Sequence, residues 1–127
     1  MTTGPAPLKV ALSMLTLVPG SMGGGETYAR ELVRILRQSS TIEATTFVSR
    51  AAAGFSDDVP ERVVPGVTGA ASTSGRVRTL AQAGLVRRGA IRRAQAGFDV
   101  VHVPFTVALP PPPAGVALVQ TLHDVQH

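Results

Sequence analysis

Hydrophobic positions along the chain fall into short apolar runs that alternate with amphipathic stretches. The first run, about residues 8–18, is almost uninterrupted, which is typical of a strand covered on both faces of a sheet. The following stretch predicts a helix, because apolar side chains recur at i, i+3, i+4 and i+7 opposite a row of arginines; they are Ala29, Leu32, Val33 and Leu36. A second run, Ile42 to Ser49, is rich in strand-forming residues. The chain therefore opens with a predicted strand–helix–strand unit.

Several segments lack either pattern and are predicted to connect or flank the regular elements. Residues 1–7 are expected to be a flexible leader, and residues 51–61 a loop. Arg62–Val67 is predicted as an extended edge segment, because its proline is not tolerated in a central strand. The small, polar stretch Gly69–Gly75 is predicted to be a mobile connection.

The later part of the chain repeats the alternation. An arginine-rich helix is predicted over about residues 76–96, with a kink or break at Gly84 or Gly89. Strands are predicted at 98–104 and, after a proline-rich crossover, at 115–122. Strands that alternate with helices predict the α/β class, with a Rossmann-like, doubly wound parallel sheet.

A glycine-rich loop, residues 19–25, separates the first strand from the first helix and could cradle a phosphate. A dinucleotide fingerprint beginning at Gly23 would need glycine where Tyr28 stands. A Walker A loop would need lysine where Glu26 stands, and an anion there reverses the electrostatics. Two interpretations of the loop remain: it is a phosphate-facing loop of another kind, or it is a glycine-rich turn that binds no ligand.

Composition narrows the class of protein and of ligand. The 127 residues are 44% hydrophobic and 16% charged, as in globular domains. Because there is no cysteine, disulfides and thiolate metal sites are excluded. Four phenylalanines, one tyrosine and no tryptophan make a base-stacking surface implausible, so no nucleic-acid partner is expected.

Charge is concentrated in one segment. The net charge is +4, and six of the twelve basic residues lie between Arg76 and Arg93. This segment is either a solvated helix face or a surface that contacts an anionic membrane. A spanning helix is not expected, because residues 100–122 contain His102 and four consecutive prolines. The expected location is cytoplasmic, with peripheral contact at the inner membrane face as the further expectation.

Three landmarks, in this order, carry a resemblance to a known family. They are the K-V-A-L strand with the loop Gly23-Gly24-Gly25-Glu26, the strand Phe98-Asp99-Val100-Val101-His102, and the strand end Thr121-Leu122-His123-Asp124. Together they resemble the N-terminal domain of retaining glycosyltransferases of the GT-B fold, the family 4-like group. The resemblance implies that residues 8–127 form part of the acceptor-side domain and that the C-terminal donor-binding domain is absent.

The resemblance also implies roles for individual residues. Gly23, Gly24, Gly25 and Glu26 would border the donor phosphates. His123 would be the catalytic residue, orienting groups and stabilising charge rather than acting as nucleophile, because in this family the leaving phosphate helps to deprotonate the acceptor. The acceptor-side candidates are Asp124, Phe105 and Thr106. The partners would be a nucleotide-sugar and a carbohydrate or lipid-linked acceptor, with no cofactor or metal.

Plainer interpretations of the histidines remain open. His123 and Asp124 could simply cap a turn, and His102 could be a structural residue within its strand. His127 could pair with His123 on a metal, but no third ligand has a suitable spacing.

The predicted function is therefore a fragment of a retaining glycosyltransferase, which transfers a sugar from a nucleotide-sugar to an acceptor hydroxyl. The isolated chain is expected to be inactive, because the family's paired glutamates belong to the C-terminal domain. The alternative is a non-catalytic, Rossmann-like module that binds a phosphate-bearing ligand or a partner.

Overall fold

The computed structural model describes residues 5–21, 23–57 and 59–122. Its elements in chain order are β1 (Leu8–Met14), α1 (Gly24–Arg37), β2 (Ile42–Val48), a 3₁₀ turn (Arg50–Ala52), β3 (Glu61–Val63), α2 (Thr73–Ala81), a π-helical turn (Gln82–Val86), α3 (Arg88–Gln95), β4 (Val100–Val103) and β5 (Ala117–Gln120).

The five strands form one parallel sheet in the order β3-β2-β1-β4-β5. The chain moves in one direction along the sheet from β1 to β3 and then crosses to β4 on the other side of β1. Right-handed crossovers therefore put α1 and the α2–α3 segment on opposite faces. The predicted parallel, Rossmann-like α/β architecture is confirmed, and the order of strands reverses between β1 and β4.

The core lies on both faces of the central strands. In β1 the consecutive residues Ala11, Leu12, Ser13 and Met14 are all buried, as expected for a strand covered on both sides. Ala29 and Val33 of α1 are buried, in agreement with the predicted apolar face of the helix. The hydrophobic pattern thus places the central strand and the first helix correctly.

Several predicted boundaries were wrong. β1 ends at Met14 rather than near residue 18, because the Leu17 N–H donates to the Met14 carbonyl (3.1 Å) and starts a turn. The extended segment predicted at 62–67 is a strand only over Glu61–Val63, and a turn follows it. The fourth and fifth strands are likewise shorter than predicted.

The arginine-rich helix begins earlier than predicted and is interrupted. Ser72 caps it, its Oγ accepting from the Gly75 N–H (3.1 Å), so part of the predicted mobile connection is helical. The break falls at the π-helical turn around Gly84, where a Cβ would lie 3.3 Å from Cδ1 of Leu109. Gly89 lies inside α3 and causes no break. The predicted interruption is therefore confirmed at the first of the two glycines.

Candidate functional site

A cavity of about 440 Å³ opens at the carboxyl ends of β1 and β4. Three stretches line it: the loop after β1 with the start of α1, helix α2 with Ala70 in the connection before it, and the loop after β4. The lining residues are Thr16, Val18, Ser21, Gly25, Ala70, Arg76, Thr79, Leu80, Phe105, Thr106 and Val107. The strand order reverses at this point, which is where open α/β sheets bind ligands.

Only part of the predicted glycine loop reaches the cavity. Gly25 lines it, and a Cβ there would lie 3.7 Å from the Phe105 ring, so the helix start and the loop after β4 approach closely. Gly23 has a φ of 53°, and neither it nor Gly24 would bring a Cβ within 4 Å of a neighbour. Because the first N–H groups of a helix lack intrahelical acceptors, the start of α1 offers donors beside the cavity.

Glu26 has its carboxylate engaged within the loop. One oxygen accepts from the Gly20 N–H (2.7 Å), and the other accepts from the Arg30 guanidinium (3.0 Å). Its side chain is only 13% exposed. The carboxylate therefore connects the glycine loop to the first turn of α1 by hydrogen bonds. It does not line the cavity.

Replacing Glu26 by alanine is expected to lower the free energy of unfolding by about 1–2 kcal/mol, because a charge-assisted hydrogen bond to a backbone N–H is lost. Glu31→Ala is the matched control, since that carboxylate pairs with Arg34 on the exposed side of the same helix. It should cost about 0.5 kcal/mol or less. Chemical denaturation of both variants measures the difference. Equal losses in the free energy of unfolding would show that the hydrogen bond from Gly20 to Glu26 adds no stability.

The loop after β4 is tied to the neighbouring strand. Phe105 is buried and Thr106 is exposed, and the carbonyls of both accept from the Gln120 side-chain amide. The structure thus brings these two predicted acceptor-side residues to the same cavity as Gly25. The predicted acceptor-side residue Asp124 and the predicted catalytic residue His123 lie outside the described residues.

Arg76 is the charged residue of the cavity lining that sequence reasoning did not assign to the site. It is exposed, and within the described ranges its guanidinium pairs with no carboxylate. The nearby hydroxyls of Ser21 and Thr79 donate to backbone carbonyls (2.8 and 3.0 Å), so they offer lone pairs rather than protons. The described residues of the lining include no carboxylate and no imidazole. Arg76 and the N–H groups at the start of α1 are the groups suited to hold an anion, while no side chain in the described lining is suited to transfer a proton.

His102 belongs to a separate polar cluster. Its Nε2 lies 3.3 Å from Oγ1 of Thr121, which lies 3.2 Å from the Tyr28 hydroxyl, so β4 and α1 are linked through the residue that follows β5. Burial lowers the pKa of His102 below its usual value of 6.5. Since it does not line the cavity, its contacts favour the structural interpretation of this histidine.

The lowered pKa of His102 predicts that stability depends on pH. Between the folded pKa and 6.5 the unfolded chain binds more protons than the folded chain. The free energy of unfolding should therefore fall as pH drops through about 6.5, and be restored above it. Denaturation of the wild type and of His102→Gln at several pH values tests this. An unchanged pH dependence in the variant would contradict the assignment.

Two further findings concern metals and membranes. Within residues 5–21, 23–57 and 59–122 no three potential His or carboxylate ligands lie together. In the same ranges no helix is long and apolar enough to cross a bilayer.

The chain matches no family model, no curated protein and no solved structure.

Proposed function

We propose that this chain is the acceptor-side domain of a retaining glycosyltransferase and that its cavity holds a phosphate-bearing group of the donor or acceptor. The observation that carries the proposal is the position of the cavity where the strand order reverses, with the start of α1 beside it and with Arg76, which pairs with no carboxylate of the described residues. A guanidinium and unpaired helix N–H groups both favour a phosphate oxygen.

The chemistry of the lining supports the same proposal. The described lining residues include no carboxylate or imidazole, so they would bind and orient rather than transfer protons. A retaining transfer in which the leaving phosphate accepts the acceptor proton needs no such base. In this proposal His123 stays the candidate that orients groups near the reacting sugar, and the nucleotide-sugar and its acceptor stay the expected partners.

A second candidate function is a binding module that carries out no reaction. The observation in its favour is that the described lining offers an anion a guanidinium and the start of a helix, but offers no carboxylate or imidazole for proton transfer. Arg76 and the start of α1 would serve this function in the same way.

Isothermal titration of the purified chain tests both candidates. Pyrophosphate and UDP-glucose serve as probes, with uridine and glucose as phosphate-free controls. We expect the phosphate-bearing probes to bind at least about tenfold more tightly, the effect of one charge-assisted contact of about 1.5–3 kcal/mol. Equal binding of all four compounds, or no binding of any, would contradict a phosphate site.

The coding sequence beyond codon 127 separates the two candidates. A continuing reading frame with a second Rossmann-like domain and two glutamates spaced as in the family's paired motif supports the transferase. The proposal then predicts sugar transfer by the longer protein and none by this chain. A chain that binds phosphate and has no such continuation is the binding module.

A further inference from the structure

The segment that carries α2 and α3 is basic and has no acidic residue to balance it. Between Glu61 and Asp99 the sequence contains seven arginines and neither aspartate nor glutamate. The two described ion pairs of the chain both lie within α1. Positive charge on this side of the molecule is therefore available to an external anionic partner.

The same segment also exposes large apolar side chains. Leu85 and Val86 of the π-helical turn are 77% and 75% exposed, more than any other large hydrophobic residue in the described ranges. Val77, in α2, is 61% exposed. The three exposed apolar side chains thus lie on the continuous helical stretch formed by α2 and the π-helical turn.

The π-helical turn is held in place by contacts on its inner side. Gly84 is buried against Leu109, and the Gln82 side-chain oxygen accepts from the N–H and the hydroxyl of Thr68 (2.9 and 3.1 Å). The Arg87 N–H closes the turn on the Gln82 carbonyl (2.7 Å). With its inner side fixed in this way, the turn presents Leu85 and Val86 to solvent.

The arginines of the segment divide by their contacts. Arg62 stacks on Phe47 and Phe98, and a guanidinium nitrogen of Arg92 donates to the Pro112 carbonyl (3.5 Å). Arg78 and Arg88, by contrast, are exposed neighbours of the apolar residues in sequence. We define the docking surface as these two arginines with the exposed apolar side chains: Val77, Arg78, Leu85, Val86 and Arg88.

We propose that the docking surface binds peripherally to an anionic lipid bilayer, with Leu85 and Val86 in the interfacial region and the arginines on lipid phosphates. Exposed aliphatic side chains beside unpaired cations match the two attractions that hold peripheral proteins on such membranes. The surface holds no aromatic residue for nucleobase stacking, which favours lipid over nucleic acid. This inference does not depend on what occupies the cavity.

Docking in this way has a consequence for the cavity. Helix α2 contributes Val77 and Arg78 to the docking surface, and Arg76 and Thr79 to the cavity. One short helix thus connects the two, so docking would hold the cavity close to the lipid headgroups.

Co-sedimentation with vesicles of phosphatidylcholine, with and without phosphatidylglycerol, tests the proposal on the full chain. We expect binding only to the vesicles that contain phosphatidylglycerol. Arg78→Gln/Arg88→Gln should weaken the partition coefficient by about 25-fold, at about fivefold per arginine near a membrane surface. Leu85→Ser/Val86→Ser should weaken it by about tenfold or more.

Matched controls come from α1 and β1, away from the docking surface. Arg34→Gln/Arg37→Gln removes the same charge, and Ile35→Ser/Leu8→Ser removes two exposed aliphatic side chains. Neither should change binding by more than about twofold, since exposed substitutions have small effects. If the test and control variants lost vesicle binding equally, net charge alone would account for the attraction. That result would overturn the proposal.

The proposal also fails if the wild type binds no vesicle. If the protein instead self-associates in sedimentation velocity, and Leu85→Ser/Val86→Ser makes it monomeric, the surface is a protein interface. Each of these results leaves phosphate binding in the cavity unaffected, so the two proposals fail separately.

Discussion

Replacing Arg76 by glutamine is expected to weaken the binding of pyrophosphate and UDP-glucose by about tenfold to a hundredfold. The guanidinium is the charged group of the cavity lining, and no carboxylate in the described part of the chain neutralises it. A hydrogen bond to a charged group contributes about 1.5–3 kcal/mol, which corresponds to this range of affinity. The side chain is exposed, so the variant should fold like the wild type. Isothermal titration of wild type and variant measures the change.

The matched control is Arg93→Gln, which removes the same charge from the same basic segment. Arg93 is exposed and lines neither the cavity nor the docking surface. Its substitution should change affinity by less than about twofold, because screened charges at a distance act weakly. Arg76→Lys should retain part of the affinity, since it keeps the charge but not the planar donor pair. Equal weakening by both glutamine variants would mean that phosphate is attracted by net charge rather than held at Arg76.

Replacing Phe47 by alanine is expected to lower the free energy of unfolding by about 3–5 kcal/mol. Phe47 is 1% exposed, and its ring meets the Phe98 ring edge-on at a centroid distance of 5.7 Å. The Arg62 guanidinium covers it at 5.6 Å. Truncation therefore leaves a cavity beneath a charged group as well as removing apolar contacts. Because domains are stable by about 5–15 kcal/mol, much of the total would be lost.

Urea denaturation of Phe47→Ala measures this loss, with Ile35→Ala as the control. Ile35 is 56% exposed on α1, so its truncation should stay within about 0.5 kcal/mol of the wild type. A loss below about 1 kcal/mol for Phe47→Ala would contradict its place in a well-packed core.

The sequence predicts the order and type of the elements well, because their signals are local. The unbroken apolar run of β1 and the 3.6-residue repeat of α1 follow from burial, and each is visible in a short window. An interruption of the arginine-rich helix is also predicted, at Gly84 or Gly89, and the structure has it at Gly84. That the interruption is a π-helical turn depends on Leu109, which lies far along the chain and packs against this glycine.

The predicted end of β1 is also wrong for a physical reason. Leu15 and Leu17 are as buried as the last residues of β1, so hydrophobicity alone does not distinguish a strand from the turn that follows it. Hydrogen bonding does, since the turn begins where the Leu17 N–H bonds within its own segment.

The candidate site is predicted only in part. The glycine loop, Phe105 and Thr106 follow from strand ends and from the resemblance, and Gly25, Phe105 and Thr106 line one cavity. Arg76 was grouped with the basic segment, because its place beside the glycine loop depends on the crossing of α2 over the sheet. Glu26 is predicted to border the donor phosphates, and the local sequence does not show that its carboxylate accepts from the Gly20 N–H. Which group a side chain contacts depends on the tertiary structure, and the local sequence does not determine it.

The central claim, that the cavity between the β1 and β4 loops binds a phosphate-bearing ligand, is tested most directly by backbone-amide NMR shifts during titration with UDP-glucose. The account predicts saturable shifts concentrated at residues that line the cavity, namely Ser21, Gly25, Arg76, Thr79 and Thr106. Shifts confined to the arginines on the outer side of α1, or no saturable shift, would contradict it.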